Sequence, residues 1–206
     1  DRATLFAHSD GLIVLSGCRE GEISQLLDGG AMSAAETIAG EYRDRLGDGQ
    51  FFLELQHHGI YGDSQRVAAF ARLSERTGVP LVATNNVHYH ECERHRLNDV
   101  LVAIRHRRTL DSSHELRRAN SEFYLKSPQT MARRFAAYPQ AVANTRRIAE
   151  RCTFNLANDL PYELPSFPVP DGATMDGHLR GICEFAFKDK FGANVSEEHR
   201  NEARQR

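Results

Sequence analysis

No apolar run in this chain approaches the roughly 20 residues that a bilayer-spanning helix needs. The start, Asp1-Arg2-Ala3-Thr4, has no signal-peptide pattern. A soluble, unexported, cytoplasmic protein without a membrane partner is expected. Cysteine is sparse: Cys18, Cys92, Cys152 and Cys183 stand far apart and form no CxxC pair, which argues against both a disulfide framework and a zinc ribbon. Lysine is scarcer, with Lys126, Lys188 and Lys190 the only ones and arginine supplying every other basic residue. Codon bias explains that usage as well as chemistry does. With a formal net charge of -2, the chain lacks the overall basic character of a nucleic-acid-binding domain, so any DNA contact is local or lies outside it. There is no Walker loop and no GxGxxG. Ser16-Gly17-Cys18 is not a nucleophile elbow, which requires GxSxG.

What is present suits one domain with an appendage: 206 residues, 40% of them hydrophobic, enough to bury a full core. The absent initiator methionine suggests a chain that begins part-way through something larger. Three short apolar runs read as buried parallel strands: Leu12 to Leu15, Phe51 to Leu55, and Pro80 to Thr84. Helical stretches follow each, at Glu22 to Leu27 and Ala31 to Leu46, at Asp63 to Arg76, and at Glu91 to Arg105. Gly78-Val79-Pro80 stops one helix and leads into the next strand. This βα alternation predicts a parallel sheet, doubly wound or closed into a barrel. Ser127-Pro128 is a helix start with a hydroxyl cap, with Met131 and Phe135 on one face. A further helix runs from about Gln140 to Arg151, with Val142 and Ile148 inward. From Leu160 to Pro170 four prolines preclude helix and central strand, and the segment reads as a linker. The tail from Met175 to Phe191 is predicted helical, with Leu179, Ile182, Phe185 and Phe187 as candidate buried positions.

In parallel α/β folds, functional groups gather where the βα loops converge, at the C-terminal ends of the strands. Here those ends are Ser16-Gly17-Cys18, then Gln56-His57-His58-Gly59, then Asn85-Asn86-Val87-His88-Tyr89-His90. Thiolate, imidazole and a side-chain carbonyl together suit Zn2+ or Mn2+. Each residue also has a plainer reading. Cys18 is equally a small buried hydrophobe. His57 and His58 are adjacent, so at most one faces the common centre. His88 and His90 share a face if extended, but His90 also suits the start of the following helix, which favours His88. The arginine group Arg105, Arg107 and Arg108 either touches phosphate or simply solvates a helix end.

Taken in order, Gly11 to Cys18, Phe52 to Gln56 and Val82 to Tyr89 resemble the PHP domain of bacterial DNA polymerase III alpha subunits. Leu125 to Pro128 with Met131, Tyr138 to Thr145, and Leu164 to Pro168 resemble the stretch leading from that domain towards the palm. The wording His88-Tyr89-His90 and the ending Phe167 to Gly172 are closer to the error-prone, DnaE-like branch. The resemblance implies an α/β fold, the later part of a distorted (βα)7 barrel that can hold metal ions. It divides the chain into residues 1–159 as PHP domain lacking its N-terminal part, 160–174 as linker and 175–206 as the helical start of the polymerase core.

By position, Cys18 matches a family metal ligand that is His or Cys, and His88 matches the histidine of an Asp-x-His pair. Asn86 takes the aspartate's place with a neutral oxygen. His58 and His90 are possible lining residues. The family's early HxH motif is not in this chain, where His8 stands alone before Cys18. The implied parent is a DNA-directed DNA polymerase acting in repair and translesion synthesis. It takes primer-template DNA and dNTPs, meets a sliding clamp and accessory translesion proteins, and uses Mg2+ on carboxylates outside these residues. The PHP domain is then a scaffold with a vestigial metal site or, alternatively, a metal-dependent phosphoesterase or 3'-5' exonuclease.

Overall fold

The computed structural model describes residues 1–160 and 165–192. It divides into two compact units, Asp1–Thr153 and Phe154–Arg206. The first unit runs α1 (Arg2–Ala7), β1 (Val14–Leu15), α2 (Glu22–Asp28), α3 (Met32–Leu46), β2 (Phe51–Leu55), α4 (Asp63–Thr77), β3 (Leu81–Ala83), α5 (His95–Arg105), α6 (Pro128–Arg134) and α7 (Pro139–Arg151). Short 3-10 turns lie at Cys92–Arg94 and His114–Leu116.

The three strands form a parallel sheet in the order β1-β2-β3, with Val14 opposite Phe51 and Leu53 opposite Leu81. β2 is central, and Phe51, Phe52, Leu53 and Leu55 are all buried, as its apolar sequence, interrupted only by Glu54, requires of a strand covered on both faces. Helix α4 lays Val67, Phe70 and Leu73 into the core at helical spacing. It ends where Gly78 takes a left-handed φ of 72° and donates its N–H to the Ser74 carbonyl at 2.8 Å, a conformation that disfavours a residue with a Cβ. Ser127 caps α6 by accepting the Thr130 N–H at 3.2 Å. Phe135, at the end of α6, and Ala141, on α7, join the same core cluster as β2 and α4. Helix α7 closes the β3 side: Asn144 Nδ2 donates to the Leu81 carbonyl at 2.8 Å, satisfying a strand acceptor.

The alternating β and α elements and the parallel sheet agree with the sequence reading, while several boundaries shift. The first strand covers Val14–Leu15 rather than Leu12 to Leu15, and the third Leu81–Ala83 rather than Pro80 to Thr84. The helix expected from Glu91 opens with a 3-10 turn and becomes α-helical at His95.

In the second unit, α8 spans Met175–Phe191, capped by Thr174, whose hydroxyl accepts the Gly177 N–H at 3.1 Å. The expected burial along it is corrected: Leu179, Ile182 and Phe185 are exposed, and Phe187 is half-buried against Phe191, with ring centroids 5.0 Å apart. Among the described residues of this unit α8 is the one helix, and a single helix has no second layer of its own on which to bury a stripe. Residues 165–170 carry neither helix nor strand, and the rest of the proline-rich segment, 161–164, lies outside the described residues, as does 193–206. No helix among the described residues is long and apolar enough to cross a membrane.

Candidate functional site

A cleft of about 180 Å³ opens at the C-terminal ends of all three strands, within the first unit. Cys18 reaches it after β1, Glu54 and His58 from β2 and its loop, and Asn86 after β3. Arg118 and Phe123 close it from the long segment between α5 and α6. The volume admits a small ion or phosphate-sized group and is below the range of cofactor pockets, roughly 300 Å³ upward.

His58 is the most firmly held of the candidates. It is buried, and its Nε2–H donates to the Asn85 carbonyl at 2.8 Å, leaving Nδ1 as the acceptor nitrogen. Its ring stacks on Phe123 with centroids 4.0 Å apart. Its main-chain N–H donates to Asp63 Oδ2 at 2.7 Å, and the Ile60 N–H joins at 3.1 Å. Asp63 is itself buried at the start of α4 and is neutralised by Arg66 at 3.2 Å, which reaches on to Asp28 at 2.7 Å. His57 points elsewhere, with Nε2 3.2 Å from the Ser64 hydroxyl. The alternation of side chains along an extended segment thus separates the two neighbours as expected.

Burial holds the His58 pKa below its ordinary value, with Lys126 and Arg134 acting in the same direction and the Asn85 hydrogen bond and Asp63 opposing them. The ring is therefore neutral in the folded chain above its lowered pKa, while in the unfolded chain it titrates near 6.5. The associated stability is complete above about pH 6.5. It declines as pH falls towards the folded-state pKa, by at most about 1.4 kcal/mol per pH unit for one proton. Urea midpoints measured from pH 7 to pH 5 are expected to fall more steeply for the unaltered chain than for His58→Gln. Equal slopes would remove His58 as the responsible group.

Asn86 adopts a left-handed φ of 42°, a conformation that asparagine tolerates better than most residues. The preceding Asn85 points the other way and ties β3 to the following segment, donating Nδ2 to the Tyr124 carbonyl at 2.6 Å and the Glu122 carbonyl at 3.0 Å. That segment is pinned again by Asn120, which donates to the His58 carbonyl at 2.8 Å. Arg134 adds a contact with the His57 carbonyl at 2.9 Å and with Glu122 at 2.7 Å.

His88 does not line the cleft. Its Nε2 accepts from Arg118 Nη2 at 2.7 Å, and that guanidinium also sits 5.1 Å from the centre of the Phe123 ring. Burial, then the charge of Arg118, lowers the His88 pKa. His90 stands farther out, with a largely exposed side chain 3.5 Å from Glu91, so its expected place in the lining is corrected. Its position beyond the short bridge at Tyr89 carries it away from the strand ends.

Several contributors escaped the sequence reading. Glu54 lines the cleft together with the carboxylates of Glu20 and Asp63, its Oε1 accepting from Gln56 at 3.0 Å and from the Thr84 hydroxyl. Its signal was available, a single charge interrupting an otherwise apolar strand. Arg117, Arg118 and Phe123 had none, because they lie in a segment without periodicity.

The residues present do not fit a divalent ion. The acceptor nitrogen of His88 is held by a cation, Asn86 supplies no charge, and no three His, Cys, Asp or Glu side chains among the described residues are placed to hold a metal together.

Residues 1–58 match the PHP domain family model. An error-prone DNA polymerase of Symbiobacterium thermophilum is 42% identical over 185 residues, covering 89% of this chain and 17% of the relative. An error-prone DNA polymerase of Mycobacterium tuberculosis H37Rv is 38% identical over 179 residues, covering 87% and 16%. The DNA polymerase III subunit alpha of Treponema pallidum is 36% identical over 199 residues, covering 96% and 17%. The chain thus spans about a sixth of the length of these relatives. The chain is therefore similar over most of its length to one segment of bacterial DNA polymerase III alpha subunits and error-prone DNA polymerases, and its alternating β and α elements and parallel sheet are consistent with the PHP domain match of residues 1–58.

Proposed function

We propose that this chain is part of an error-prone, DnaE-like DNA-directed DNA polymerase working in the cytoplasm in repair and translesion synthesis, and that its PHP domain acts as a scaffold with a vestigial metal site. Relatives bearing the names error-prone DNA polymerase and DNA polymerase III subunit alpha support the parent activity. Primer-template DNA and dNTPs are then its substrates, with a sliding clamp and accessory translesion proteins as partners. Mg2+ supports nucleotide addition in this class of chemistry and would be held by carboxylates outside these residues. A (βα)7 barrel completed by further strands fits the parallel row β1-β2-β3.

The observation that carries the scaffold reading is the capture of His88 by Arg118 beside a neutral Asn86. A fixed guanidinium where a cation would have to bind opposes Zn2+ or Mn2+ by direct repulsion. The test is metal content by mass spectrometry on the intact gene product and on Asn86→Asp, with nickel excluded from purification. Substoichiometric metal in the unaltered protein is expected, and stoichiometric Zn2+ or Mn2+ there would sink the reading.

A second reading, a metal-dependent phosphoesterase or 3'-5' exonuclease, is favoured by one feature: Cys18, Glu54 and His58 share a single cleft. It requires manganese-dependent phosphodiester hydrolysis by the same preparation, which the scaffold reading excludes.

A further inference from the structure

A second recess, of about 340 Å³, lies between α5 and the segment that leads on to α6. His95, Asn98 and Asp99 line it from α5, at the i, i+3, i+4 spacing of one helical face. Arg118 and Ser121 line it from the later segment, and Tyr89 from the residues after β3. The lining is polar nearly throughout, and no step of the proposed function uses it.

Two observations mark it as a place for a ligand. Tyr89 is 8% exposed, yet its hydroxyl has no hydrogen-bond partner among the described residues, and buried polar groups are seldom left so. The space is also large. One water needs only about 10–15 Å³, whereas pockets for small organic ligands begin at roughly 300 Å³.

The unengaged groups set the pattern a ligand must match. Asp99, an acceptor only, is approached by Arg117 at 3.6 Å, too far for a hydrogen bond. Arg118, a donor only, gives one Nη2 contact to His88 at 2.7 Å, and its other N–H groups have no partner among the described residues. The Asn98 amide is likewise unpartnered there. The ligand therefore presents adjacent donors on one edge and acceptors on another. Guanine does so, with N1–H and its 2-amino group for a carboxylate and O6 and N7 for a guanidinium. Adenine, cytosine and thymine each offer a single donor group on the pairing edge and leave the carboxylate half satisfied.

We infer that this recess binds a guanine base, with Asp99 accepting from the N1–H and amino edge, Arg118 donating to O6 and N7, and the Tyr89 hydroxyl completing the set. The inference is independent of the cleft at the strand ends and of the parent polymerase reading.

The test is photolabelling of the intact gene product with 8-azidoguanosine, whose N1, 2-amino and O6 groups are unaltered, followed by peptide mapping. Label is expected within residues 89–99 or 117–121, and excess guanosine, but not adenosine, is expected to reduce it several-fold. Competition by a single-stranded oligonucleotide containing guanine, set against competition by guanosine, tells a base in a strand from a free nucleoside, and either supports the site. Tyr89→Phe is expected to lower the label several-fold. In Asp99→Asn the label from 8-azidoguanosine is expected to fall about tenfold, the scale of one lost charge-assisted hydrogen bond, while that from 8-azidoxanthosine rises. The amide then donates to the C2 oxygen that xanthine carries in place of the amino group, and misfolding cannot produce such a gain. Label confined to other peptides, an unchanged preference in Asp99→Asn, or no label at all, as when water or another part of the polypeptide fills the recess, would overturn the inference.

Discussion

Replacing Arg66 by methionine is expected to destabilise the first unit by roughly 3–5 kcal/mol, the usual consequence of leaving a buried charge without its partner. The Arg66 side chain is 9% exposed and that of Asp63 is 4% exposed. Without the guanidinium, Asp63 keeps only the His58 and Ile60 N–H groups. Asp28 is 40% exposed and returns to water at little cost, so the penalty falls on Asp63. Urea unfolding of the intact gene product, followed by a probe placed in this unit, measures the loss. The companion variant Asp63→Asn with Arg66→Met is expected to recover a substantial part of it, since the stranded charge is then gone. A loss below about 1 kcal/mol for Arg66→Met would show that water reaches Asp63 and that the brace beneath the His58 loop is not structural.

Phe135→Ala is expected to cost a similar amount, about 3–5 kcal/mol, through lost transfer energy and the cavity left behind. Phe135 is 2% exposed and lies in one cluster with Leu53, Leu55, Phe70 and Leu73. The experiment also tests whether α6 and α7 belong to the same cooperative unit as the sheet. Phe154→Ala, at a ring 63% exposed, serves as the reference and should stay within about 0.5 kcal/mol of the unaltered protein. Equal small effects at both positions would mean that α6 docks only loosely on the sheet.

The parts of this fold that could be read from the residues are those set by neighbours in sequence. Phe51 to Leu55 announces a central strand because such a strand, covered on both faces, has no polar side to alternate with. Gly78-Val79-Pro80 announces a helix end because a left-handed φ and a missing N–H both stop α-helix. The convergence of Cys18, His58 and Asn86 on one cleft followed from a rule of parallel sheets, and the separation of His57 from His58 from the pleat.

What could not be read are the relations between residues distant in sequence. Arg118 meets His88 across 30 positions, Arg66 meets Asp28 across 38, and Asn120 meets the His58 carbonyl across 62. In each case the partners lie on elements whose relative placement depends on the packed core and not on any local pattern. The orientation of α5 is the sharpest instance. Its spacing places Leu97, Leu101 and Ile104 on one apolar face and does not by itself decide which face is covered. Tertiary packing set the opposite face against the 117–121 segment, through Asp99 and the polar recess, and left the apolar stripe outward.

By itself, then, the sequence determined the βα order, the central strand, the helix caps and the meeting of three strand ends, because local sterics, capping and apolar periodicity act over a few residues. Tertiary structure alone decided that His88 is held by a guanidinium, that Glu54 and Asp63 furnish the carboxylates around His58, and that α5 shows its apolar face to solvent. Those outcomes depend on distances between elements, and such distances exist only once the core has closed.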